Sequence, residues 1–142
     1  MQIKKILVPL DGSDSAKRAL QYAVELARLC RGEVGLLHMV DLNQHISAFE
    51  QVSTGGYVPA ELKESGYALL AEAMHEVPSD VPAKTIVRVG APPMGIVEVC
   101  REGGYDMIIM GNRGLGTIQQ LFLGSVSQYV LHHAPCPVTI MR

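Results

Sequence analysis

Asp106-Met107-Ile108-Ile109-Met110-Gly111-Asn112-Arg113-Gly114 carries an apolar, strand-like run straight into a glycine loop, and nine residues separate that loop from Gly124-Ser125-Val126-Ser127. A strand that ends in bare backbone, followed by a Gly-Ser helix start, is how an α/β fold builds a phosphate cradle. Glycines let the main chain approach an anion closely, and the free N–H groups of a helix start carry partial positive charge. The stretch therefore points to a nucleotide binder.

Working outward, strand-like and helix-like segments alternate. Ile3 to Leu10 is a compact apolar run, and Asp11-Gly12-Ser13-Asp14 supplies turn chemistry and an N-cap. From Ala16 to Cys30 the apolar residues fall at helical spacing, and Gly32 is expected to stop the helix. Val34 to Val40 reads as a second strand, and Asp41 to Val58, with no clear period, as a long loop. A second helix is expected from Pro59 through Val77, with Gly66 as an unfavourable interior residue. Thr85 to Val89 is the third strand; Pro92-Pro93 opens a short helix closed by Gly103-Gly104; Tyr105 to Met110 is the fourth strand. Ser125 to His133 makes a last helix and Val138 to Met141 a fifth strand. Continuous apolar strands separated by helices indicate a parallel sheet covered on both faces. Ligands of such sheets bind outside the carboxyl ends of the strands, where the strand order reverses. Pro9-Leu10-Asp11 and Gly111 to Gly114 stand at two such ends.

Composition narrows the function. The chain has 142 residues, of which 48% are hydrophobic and 18% charged, which suits one domain spanning residues 1–142 and excludes a disordered chain. A net charge of −2 gives no general attraction to nucleic acid or to acidic membranes, so anion binding must come from local geometry. Cys30, Cys100 and Cys136 are widely spaced and odd in number, as expected of reduced, buried thiols in the cytoplasm. No apolar run approaches the roughly 18 residues of a membrane span, and no signal-peptide stretch precedes the first strand.

Gly111-x2-Gly114-x9-Gly124-Ser125 resembles the nucleotide signature of the ATP-binding branch of the universal stress protein family. Lys5-Ile-Leu-Val-Pro-Leu-Asp11, Leu37-His-Met-Val-Asp41 and Ala134-Pro-Cys-Pro-Val138 match in the same order, so the resemblance spans the whole chain. It implies a three-layer Rossmann-like open sheet, five parallel strands in the order 3-2-1-4-5, with helices on both faces. It implies a site as well. Pro9 and Asp11, with Leu10 between them, would stand by the ribose and adenine, and Met39 would cover the base. Met110 and Gly111 would flank the ribose and first phosphate. Gly114, Gly124, Ser125 and Val126 would hold the triphosphate through backbone N–H groups, with Ser127 in the same helix turn. A phosphate contact of Arg113 is inferred from its charge alone. ATP is the expected ligand, with Mg as an ion that the phosphates can hold without a protein cage.

Competing enzymatic readings lack their residues. The first strand is followed by Gly12 alone, not by G-x-G-x-x-G, and there is no Gly-x4-Gly-Lys-Ser/Thr loop. A phosphorylatable receiver would need an acidic residue where Gly90 ends the third strand. Hydrolysis needs a positioned water and usually a base near the γ-phosphate, and the motif places neither Glu nor His there. The expectation is a cytoplasmic stress-response regulator that binds ATP, pairs with a second copy through Val138 to Met141, and acts on a downstream protein whose identity the sequence does not reveal. The alternatives are a slow ATP hydrolase and a nucleotide-free dimeric scaffold.

Overall fold

The computed structural model describes residues 1–45, 60–112 and 123–142. Arg113 and Gly114, and most of the expected loop after Asp41, lie outside the described residues. The elements run β1 (Lys5–Pro9), α1 (Asp14–Cys30), β2 (Glu33–Val40), the single turn α2 (Leu42–His45), α3 (Ala60–Met74), β3 (Ala83–Val89), α4 (Pro92–Gly103), β4 (Met107–Gly111), α5 (Ser125–His133) and β5 (Val138–Met141). All strand pairs are parallel and the order is β3-β2-β1-β4-β5. This is the expected architecture.

Strand alternation divides the core in two. Ile6 and Val8 of β1, Val34 and Leu36 of β2 and Ile109 of β4 pack under α1 and α3, where Ala16, Ala19, Leu20, Ala23, Ala27 and Leu70 meet them. Leu7, Leu37, Ile108 and Met110 face the other way, onto Ile96, Val97 and Cys100 of α4 and Val130 of α5. Sequential strands β1 and β2 pair on one side of β1, and β4 pairs on the other, with Ile6 opposite Met107 and Leu7 opposite Ile108. The strand order thus reverses between β1 and β4, and their carboxyl ends open one crevice.

Helix ends follow their caps. Ser13 Oγ accepts from Ala16 N at 3.3 Å, and Asp11 Oδ1 accepts from Ser13 N at 2.9 Å, so the turn after β1 is held twice before α1 begins. At the other end the left-handed residue is Arg31, φ 54°, rather than Gly32. Gly32 has a different reason: a Cβ there would stand 2.7 Å from the Lys4 carbonyl oxygen. Gly66 keeps α3 helical at a cost in propensity because a Cβ would meet the His38 ring at 3.0 Å and Val87 at 3.3 Å. Its absence of a side chain lets α3 lie close on β2 and β3.

Candidate functional site

The crevice is built from four main-chain ends. Pro9 is half-buried at the end of β1, and Leu10 turns into the core at 6% exposure, donating its N–H to Leu37 C=O at 2.7 Å. The Leu10 carbonyl is taken by His38 Nδ1–H at 2.8 Å, which fixes the histidine tautomer because a carbonyl can only accept. Asp11 is half-buried beside it, one carboxylate oxygen holding the Ser13 N–H. Across the crevice, β4 ends at Gly111. A Cβ on Gly111 would stand 2.3 Å from Ser15 Oγ and 2.9 Å from Ala16 N, so the start of α1 is packed where a side chain would be. Close helix approach is therefore itself a reason for this glycine.

The end of β4 is clasped to β5 by one bond and to the start of α5 by two. Asn112 N–H donates to Met141 C=O at 2.7 Å, Gly124 N–H donates to Asn112 C=O at 2.8 Å, and the Ser127 hydroxyl donates to Gly111 C=O at 2.9 Å. Ser127 is 2% exposed, so its side chain positions the helix and does not face a ligand. Gly124 is the N-cap, with φ −64° and ψ 158°, and makes no side-chain cap. The first intrahelical bond is Gln128 N–H to Gly124 C=O at 3.0 Å. The N–H groups of Ser125, Val126 and Ser127 precede it and have no intrahelical acceptor. With Ser125 exposed and Val126 half-buried, that turn presents backbone donors and a hydroxyl at the rim of the crevice.

Not every expected residue is brought there by its side chain. Met110 is 4% exposed and packed among Leu7, Leu37 and Ile108, so only its main chain reaches the crevice. Met39 lies on the α4 face of β2. A Cβ on Gly95 would come 2.1 Å from Met39 Cε, so the thioether lies across the helix at its glycine. There Met39, Gly90, Ala91, Met94, Gly95 and Glu98 line a cleft at the carboxyl ends of β2 and β3. Gly90, Ala91 and Met94 were not singled out from the sequence as site residues; the Gly-Ala-Pro-Pro start of α4, right after a strand, is the signal that marks them. Asn112 was also missed. Its Oδ1 is buried with no hydrogen-bond partner, at the point where β4, β5 and α5 meet. Among the described residues no group of three His, Cys, Asp or Glu is arranged to hold a metal.

A family model for the universal stress protein family matches residues 2–142. The chain belongs to the universal stress protein family. Universal stress protein YxiE of Bacillus subtilis is 33% identical, the match covering 97% of this chain and 98% of that protein. The solved structure of MJ0577 from Methanocaldococcus jannaschii superposes with a TM-score of 0.82 at 30% identity, covering 99% of this chain and 96% of that one. A universal stress protein solved in complex with cAMP has a TM-score of 0.74 at 26% identity, covering 100% of this chain and 98% of its own. The five-stranded order found here is that of the family's Rossmann-like fold, and a member of it has been solved with a bound nucleotide, cAMP.

Proposed function

We propose that this universal stress protein is a cytoplasmic, nucleotide-responsive regulator of the ATP-binding branch, and that it holds ATP in the crevice between β1 and β4. The observation that supports the reading is the start of α5, whose first-turn N–H groups at Ser125 and Val126 have no intrahelical acceptor and which Gly124 and Ser127 fasten to the end of β4, where the strand order reverses. The phosphates sit against those donors and the Ser125 hydroxyl; Gly114 and Arg113, outside the described residues, are assigned to the triphosphate by motif and by charge alone. Gly124, whose own N–H is engaged by Asn112, serves by leaving bare backbone at the approach. Asp11 holds the ribose with its second carboxylate oxygen. The base enters the cleft beside Met39 and Met94, whose soft thioethers suit a planar ring. Mg accompanies the phosphates without a protein cage.

The protein binds rather than turns over. Phosphate release is expected far below the ordinary enzyme range of about 1 to 1000 per second. Titration calorimetry with ATP tests the site, comparing the native chain with Gly124→Val. The backbone angles at Gly124 are open to any residue, so circular dichroism of the variant should be unchanged while binding heat disappears. Equal ATP affinity in the two proteins would remove the cradle from the reading. No retained nucleotide in either would favour a scaffold.

A further inference from the structure

Cys100 and Cys136 are 36 residues apart in the chain, yet their sulfurs lie 3.3 Å from each other. Cys100 sits in α4 at 1% exposure; Cys136 is half-buried in the segment that leads from α5 into β5, and both are free thiols. Closing that gap to a disulfide of about 2.05 Å asks for a movement of roughly an ångström between a helix and the start of a strand already packed together. Cys30, at the end of α1, packs with neither. We propose that Cys100 and Cys136 are a reversible thiol–disulfide pair, oxidised by exchange with a low-molecular-weight disulfide.

Exposure sets the order of events. Cys136, the more accessible sulfur, loses its proton and attacks one sulfur of the small disulfide, forming a mixed disulfide and expelling one thiolate. Cys100 then loses its proton and attacks the Cys136 sulfur, expelling the second thiolate. The two protons released by the cysteines end on the two small thiols, so one disulfide is consumed, one is formed, and no outside oxidant is needed. Burial and the neighbouring Cys136 push the Cys100 thiol up to about 12, and burial raises Cys136 as well. Exchange is accordingly slow at neutral pH and accelerates by about tenfold per pH unit as the thiolate fraction grows. The bond would join α4, whose Met94 and Gly95 line the cleft, to the entry of the edge strand β5. Cytoplasmic disulfides that do form are of this transient, sensing kind.

Incubating the intact protein at pH 8 with oxidised glutathione, followed by thiol titration and peptide mapping without reduction, tests the pair. Free thiols should fall from three to one, with a linked Cys100–Cys136 peptide, a mass lower by two hydrogens, and full recovery on adding excess reduced glutathione. Cys30→Ser should leave the linkage intact. Cys100→Ala should instead trap glutathione on Cys136. Three thiols surviving prolonged incubation, a stable glutathione adduct on Cys136 of the native chain, or a bond running through Cys30 would each overturn the proposal. The native-chain mapping decides the matter even if a variant folds poorly.

Discussion

At Tyr105 a phenol oxygen is buried without a hydrogen-bond partner, in a residue 5% exposed. The ring presses on β2 so closely that a Cβ on Gly35 would stand 2.2 Å from the hydroxyl, and Lys5 Nζ lies 4.9 Å from the ring centroid. An unpaired buried hydroxyl costs its desolvation with no bond in return, so Tyr105→Phe should raise stability by about 1 kcal/mol in urea unfolding. A loss of comparable size would mean that the hydroxyl is satisfied. Burial, followed by the nearby Glu33 charge, raises the phenol above its ordinary range. The unfolded phenol ionises first, near about pH 10, so Tyr105 adds to the loss of stability as pH rises above that value; the phenylalanine variant should lose less there, keeping only the part that the raised Cys100 and Cys136 thiols contribute. Glycine shows how single residues were legible. The glycine-rich signature begins at the end of β4, and there Gly111 answers to the start of α1, since a sequence does not tell a ligand's approach from a helix's.

Elements were read more securely than the contacts that place them. Periodicity and breakers marked the five strands and the four longer helices to within a few residues, but the single turn Leu42–His45 fell inside what read as a loop from Asp41. The bounds Ser125–His133 and Val138–Met141 were read as the structure has them, because Gly124 and Pro135-Cys-Pro137 fence them. Gly66 appeared a flaw in α3 only because its neighbours on β2 and β3 are distant in sequence. The clasp on α5 was likewise invisible: Ser127 read as a ligand residue, whereas its hydroxyl is spent on Gly111 and, at 3.3 Å, on Asn112. Ser127→Ala removes that hydroxyl and leaves the Gly111 and Asn112 carbonyls with one donor fewer. Stability should fall by about 1 to 2 kcal/mol, and ATP affinity should weaken with it because the donor turn loses its anchor. An intact melting transition with lost affinity would return Ser127 to the ligand's side.

At the scale of the molecule, β5 is an edge of the sheet, and residues Val138 to Met141 are all half-buried with no charge or proline among them. One side of the strand is spent on β4: Pro137 C=O accepts from Ile108 N at 3.0 Å and Met141 C=O from Asn112 N at 2.7 Å. Backbone groups alternate sides along a strand, so Thr139 also faces β4, and Val138 and Ile140 point their N–H and C=O groups outward. A second copy pairing antiparallel about a two-fold axis would satisfy both edges at once. The expected assembly is therefore a homodimer through β5, and the outward donors choose the variant that tests it. Ile140→Pro removes a donor from the free side and should give a folded monomer by light scattering at micromolar concentration. Thr139→Pro, by contrast, strikes the β4 ladder and should lower the melting temperature. A native chain that scatters as a monomer, or an Ile140→Pro variant that stays dimeric, would place the contact elsewhere on the surface or abolish it.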